Sequence, residues 1–141
     1  MKRDPKDIVI NGKSLAEILA LHIEWIEFYG QKGQRAFLHN ADLAKANLES
    51  SNLREALLMR VNFRKACLVG ANLREAYLMS ADLCYADISN ADFREADLRG
   101  IVNISKGKGL DSANFEGALL DEKTKQFLLP INETAKKALV E

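Results

Sequence analysis

From Ala36 to Gly100 the chain repeats every five residues. Cut from Ala36, it reads AFLHN, ADLAK, ANLES, SNLRE, ALLMR, VNFRK, ACLVG, ANLRE, AYLMS, ADLCY, ADISN, ADFRE, ADLRG, thirteen pentads without a gap. The first place is Ala in 11 of them, with Ser51 and Val61 the exceptions; the third is Leu in ten, Phe at Phe63 and Phe93, and Ile at Ile88. A period of five excludes a helix, because five residues overshoot one turn by roughly 140° and the leucines would spread round the cylinder. It also excludes a flat strand, whose period of two cannot keep an odd repeat on one face. Places one and three of a pentad do share a face, so the register must be reset once per pentad by a bend. A chain that bends every five residues and keeps Ala and Leu inside winds into a coil.

The outward residues give the number of sides. Arg-Glu recurs at Arg54-Glu55, Arg74-Glu75 and Arg94-Glu95, an interval of 20. Phe37, Leu57 and Tyr77 share that interval at the second place, and Met59 and Met79 at the fourth. Four pentads per turn, a square coil, follows. With about 4.8 Å of rise per turn, four to five turns make a rod roughly 20–25 Å long. The expected axial core is Leu38, Leu43, Leu48, Leu53, Leu58, Phe63, Leu68, Leu73, Leu78, Leu83, Ile88, Phe93 and Leu98. Ala at place one suits a narrow interior with room for a methyl group. Asn or Asp at place two is expected to face outward and bond nearby backbone.

The run of A(N/D)LxX resembles the pentapeptide-repeat family, and that resemblance implies an all-β solenoid, a right-handed quadrilateral parallel β-helix. ANFEG-ALLDE at 113–122 resembles two further pentads. EILALHIEWIEFYGQKGQRA resembles the helical lead-in of bacterial arrays, and GLDSANFEGALLDEKTK a common closing segment. The implied organisation is a leader over 1–35 with a capping helix at about 15–29, a β-helix over 36–122 with an irregular loop at about 101–112, and a tail over 123–141 with a short helix. Ser14-Leu15-Ala16-Glu17 reads as a capping box, and Gly30 as the stop. Leu15, Ile18, Leu19, His22, Trp25, Ile26 and Tyr29 fall on one side of that helix, which would plug the coil's open end, since a solenoid needs capped termini. Past Gly100 the register slips: one inserted residue puts Val102 and Ile104 inside, and KGKGLD reads as a loop. In the tail, Asn132 would start the short helix, with Leu128, Leu129, Ile131, Ala135 and Leu139 needing cover.

Chemistry is sparse. The 20 basic and 20 acidic side chains cancel, so direct nucleic-acid binding through phosphates is not expected. No apolar run reaches the length of a membrane span or a secretory signal, and Cys67 and Cys84 form no metal or redox spacing, which together suggest a cytoplasmic chain with free thiols. His22 has no acidic or Cys partner at ligand spacing and reads as structural; His39 lies at an outward place. Asp82, Asp87, Asp92 and Asp97 sit five apart, hence on four different faces, as turn-stabilising residues. No enzyme, cofactor, metal or small-molecule substrate is expected.

Function, then, is sought on the faces. One carries Arg54, Glu55, Arg74, Glu75, Arg94 and Glu95, expected as solvated cross-coil ion pairs worth about 0–1 kcal/mol each. The next carries an apolar stripe, Phe37, Leu57 and Tyr77 flanked by His39, Met59 and Met79, ended by Asp97 and Arg99. Exposed stripes of this composition mark contact surfaces, so a protein partner or a homodimer is expected there, unless the chain's own leader or tail covers it. The resemblance implies one alternative, an acidic DNA mimic that binds DNA gyrase or topoisomerase and protects it from quinolones or toxins. The charges run against it. Residues 36–80 hold six basic against four acidic side chains, and only 81–100, with two against five, is net negative.

Overall fold

The computed structural model describes residues 1–140. Residues 36–100 form a coil whose successive turns pair in parallel at a 20-residue interval: Phe37 with Leu57, Asp42 with Asn62, Asn47 with Cys67, Asn52 with Asn72, and so on along four columns. In each pentad the residue that pairs with neighbouring turns is the one at place two, so the sides are very short strands and the corners take up the rest.

Corner geometry explains the period. The place-five residue has positive φ in all thirteen pentads, 57–69°, and in eleven of them it is not glycine. A bond from the next place-one N–H to the place-three carbonyl, as from Ala41 to Leu38 (3.0 Å), closes a four-residue turn. Its third residue has the left-handed conformation of a type II turn. For Lys45, Glu55, Arg60 or Tyr85 that conformation costs about 1–2 kcal/mol, so surrounding bonds must hold it. They do at most corners, because the backbone donors are satisfied in a pattern that recurs from pentad to pentad. The place-two N–H donates to place one of the preceding turn (Asn62 to Ala41, 3.0 Å), place three to place two of the following turn (Leu43 to Asn62, 2.9 Å), and place five to place four (Lys45 to Arg64, 2.9 Å). That leaves the place-four N–H, which the Asn or Asp side chain at place two accepts: Arg74 to Asn72 (3.0 Å), Cys84 to Asp82 (2.9 Å), Ser89 to Asp87 (3.1 Å). Asn and Asp are thus selected at place two as acceptors for a donor with no main-chain partner.

Inside, all thirteen place-three side chains named above are buried, as is the alanine at place one in every pentad but Ala41's. Each buried Leu contributes about 1.5–3 kcal/mol. The core continues past Gly100 through Phe115, whose ring stacks on Phe93 at 5.4 Å, and through Leu120.

Residues 101–112 differ from the loop expected there. Val102 pairs with Asp82 and Lys108 with Asp87, so the fourth turn carries straight on. Val102 occupies place two and is exposed, not inside; Asn103 (φ 59°) and a 3-10 turn at Ile104–Lys106 then take up one extra residue before Lys108 and return Ile104 to the core. Asn114 pairs with Asp92 and Leu119 with Asp97 at an offset of 22, two residues more than upstream.

The leader begins with Arg3 paired alongside Ala46, followed by strands β1 (Val9–Ile10) and β2 (Lys13–Ser14) in an antiparallel hairpin around Asn11 and Gly12, both with positive φ. Helix α1 spans Leu15–Glu27, and the Ser14 hydroxyl accepts the Glu17 N–H at 3.1 Å. The helix ends before Tyr29, which is 94% exposed and not on the packed side. In the tail, strand β3 (Leu119–Leu120) pairs in parallel with β4 (Leu139–Val140). Between them lie α2 (Glu122–Leu128) and a 3-10 segment, Glu133–Lys137, begun by Asn132, whose side chain accepts the Thr134 N–H. Leu128 and Ala135 are buried there, whereas Ile131 and Leu139 are exposed.

Candidate protein-contact surface

Pairing of Phe37 with Leu57, Leu57 with Tyr77, and Tyr77 with Asp97 stacks the predicted stripe into one column. Phe37 is 61% and Tyr77 42% exposed; Leu57, His39, Met59 and Met79 are partly exposed. None of the three apolar place-two residues can accept the place-four N–H. His39 repairs one such gap by accepting the Met59 N–H on Nδ1 at 2.9 Å, which with the edge-on ring of Phe37 at 4.5 Å fixes its imidazole. Burial and the Arg60 charge lower the His39 pKa, so that nitrogen stays an acceptor at neutral pH. The N–H groups of His39 and Met79 have no partner among the described residues. At the far end Asp97 restores the rule: it accepts the Arg99 N–H and pairs with the Arg99 guanidinium at 2.7 Å.

Among the described residues the tail lengthens this column, since β4 sets Leu139 beside Leu119. The leader covers it in part. Arg35 lies 5.4 Å from the Tyr77 ring and 5.2 Å from that of Trp25, and its Nε donates to the Glu55 carbonyl at 2.7 Å. Phe37 becomes one wall of a groove of about 330 Å³ shared with the hairpin and α1. Sequence reading missed this groove, though Asn11-Gly12, a two-residue hairpin signal, marks one of its walls.

His22 is fully buried. Its Nδ1 accepts the Ala36 N–H at 2.9 Å, and its Nε2 lies 2.8 Å from the Arg54 carbonyl. Nε2 therefore carries the proton. Burial is the main cause of its lowered pKa, and the ring joins α1 to the coil.

On the adjacent face Arg54 reaches Glu75 at 3.0 Å and Arg74 reaches Glu95 at 3.1 Å, the expected ladder. Arg94 breaks it by folding onto Asp92 of its own pentad at 2.7 Å. Burial raises the Asp92 pKa, but the hydrogen bonds from Arg94 outweigh it and the carboxyl titrates below its ordinary value. Asp82, Asp87, Asp92 and Asp97 stand on four faces, each accepting the N–H two residues on. Cys67 and Cys84 are buried free thiols. Among the described residues no three His, Cys, Asp or Glu side chains converge as a metal site would require, and no helix is long and apolar enough to cross a membrane.

Place-two bridges, place-five corners and a buried place three describe one five-residue unit. The family model for pentapeptide repeats matches residues 36–74 and 70–100 with 8 copies. The array belongs to the pentapeptide-repeat family. No curated protein matches the sequence. Among solved structures the chain is similar to a pentapeptide-repeat protein from Nostoc PCC 7120, 29% identical over 84% of this chain and 94% of that one at a TM-score of 0.48. It is similar to a pentapeptide-repeat protein from the Arabidopsis thaliana thylakoid lumen, 26% identical over 68% and 76% at 0.43. A third is QnrB1, a plasmid-mediated fluoroquinolone resistance protein, 18% identical over 80% and 68% at 0.37.

Proposed function

We propose that this chain is a non-enzymatic protein-contact module that acts in the cytoplasm through the Phe37–Leu57–Tyr77 column. The observation that carries the reading is the break in the repeat's own rule. Nine of the thirteen pentads close the place-four donor with Asn or Asp; this face puts Phe, Leu and Tyr there in three successive turns and leaves two donors open. Aromatic and Met side chains beside free backbone donors suit a protein surface. The supporting rod is taken to be the family's right-handed quadrilateral β-helix. α1 caps one end, as buried Leu15 and the His22 bonds suggest, and α2 with the 3-10 segment caps the other, as buried Leu128 and Ala135 suggest. The unpaired thiols of Cys67 and Cys84 support a reducing compartment. A gyrase-binding DNA mimic would need a continuous negative surface, which the Arg-bearing faces interrupt.

The test is affinity capture with wild type and a folded Leu57→Glu, Tyr77→Glu variant, with light scattering on both. A protein held by wild type, lost by the variant and rebound in purified form supports the reading, as does a dimer that the variant converts to monomer. A monomeric wild type that captures nothing sinks it.

A further inference from the structure

The contact surface has an unevenness that names its partner's chemistry. Arg54, Arg64, Arg74 and Arg94 all pair with carboxylates. Beside the apolar column three cations do not: among the described residues no carboxylate lies within 4 Å of Lys13, Arg35 or Arg60. Arg35 is the most constrained. Trp25 and Tyr77 flank it, the Glu55 carbonyl holds its Nε, and it is half-buried, yet its two terminal nitrogens have no partner among the described residues. A guanidinium so held has already lost its rotational freedom, so a carboxylate meeting it forms a two-point pair at low entropic cost.

This cation borders the groove. Ile10, Ile18, Leu21 and Phe37 give the groove apolar walls, and Lys13, held by Gln34 at 3.1 Å, adds a second charge. At about 330 Å³ it lies at the low end of ligand sites, with room for one or two side chains but no large ligand. Close backbone packing sets one side of it. Gly33 (φ 71°) lies against α1 so closely that a Cβ there would strike the Leu21 carbonyl and the Trp25 N–H, and the Gln34 N–H donates to that same carbonyl at 3.0 Å.

We propose that this groove docks an acidic peptide segment of a partner protein: one apolar side chain enters between the hairpin, α1 and Phe37, and a neighbouring Asp or Glu pairs with Arg35. The proposal rests on the contact-module reading and deepens it. Charge complementarity selects the occupant, because Lys13, Arg35 and Arg60 repel a basic segment and the open His39 N–H offers a further donor to a carboxylate.

A random heptapeptide phage library selected on the full chain, and in parallel on Arg35→Gln and Lys13→Gln, tests this. Selected sequences should combine Leu, Ile or Phe with a nearby Asp or Glu. As synthetic peptides with both ends blocked, they should weaken at least tenfold on Glu→Gln in the peptide or Arg35→Gln in the protein, and about threefold on Lys13→Gln; fluorescence anisotropy reads the change. Lys13 is exposed, so its variant serves if Arg35→Gln fails to fold. Absence of enrichment, acid-free consensus sequences, unchanged affinity in folded Arg35→Gln, or binding that needs a free C-terminal carboxylate each overturns the proposal. A chain that captures a partner through Leu57 yet selects no acidic peptide refutes only the groove. One that selects such peptides but captures nothing through the column refutes only the column.

Discussion

The ladder face and the apolar face are built on the same backbone, with the same left-handed corners and the same buried third place, and the side chain that sets their donors apart is the one at place two. With Asn52, Asn72 and Asp92 at place two, every place-four N–H on the ladder face is bonded and its arginines are all paired. With Phe37, Leu57 and Tyr77 there, two N–H groups stay open and, among the described residues, three nearby cations have no carboxylate within 4 Å. The lesson is that place two decides whether the place-four donor beside it is satisfied within the coil or left open at the surface.

That comparison breaks first at the interior. Leu58→Ala, beneath the apolar face, and Leu73→Ala, beneath the ladder, should each cost about 2–5 kcal/mol in urea denaturation. Values that differ by more than the spread of that range would mean the two sides do not share a core. Next come the place-two residues themselves. Asn72→Ala leaves the Arg74 N–H unbonded and should cost about 1 kcal/mol, whereas Phe37→Ala should cost less than about 0.5 kcal/mol while weakening partner binding.

Acid should separate the two sides as well. Burial lowers the pKa of His22 and His39 from 6.5, so the unfolded chain takes up these protons first; their contribution is complete above pH 6.5 and is lost as pH falls below it. The lowered Asp92 pKa gives a contribution that is complete above pH 3.8 and lost as pH falls through the folded-state value. A stability profile from pH 8 to pH 3 should therefore fall in two steps, and His22→Gln should flatten the upper one. The smallest effect belongs to the ladder: Arg74→Gln should change stability by about 0–1 kcal/mol and less in high salt, since that side chain is 37% exposed.

The repeat made most of the coil legible. Apolar residues at places one and three set the inside, and the 20-residue recurrence of Arg-Glu and of Phe37, Leu57 and Tyr77 set the number of sides. The position of the bend was not legible, because the left-handed corner falls on Lys, Glu, Arg or Tyr in seven pentads and on Gly or Asn in only four, and tertiary bonds impose it. Val102 was misplaced because two residues enter after it and none before it, a distinction that hydrophobic pattern alone does not draw. α2 has only seven residues, too few for a clear helical period. The column was readable from its interval; the groove beside it was not, since it joins residues 10–21 to residues 34–37 through a turn whose path depends on Gly33.

Pairing at fixed intervals also restricts how such a rod can change length. Removing one pentad from the middle would rotate everything downstream by a quarter turn and set Asp82, in place of Tyr77, next in line below Leu57. Removing four would shorten the rod by one storey and leave every column in register. The two residues inserted between Val102 and Asn114 show the same rule from the other side: one enters before Lys108 and one after it, two successive corners each widen by a residue, and Leu119 still lands on Asp97. A surface spread over several storeys is therefore indexed in steps of 20 residues, with corners as the place where spare residues can be stored.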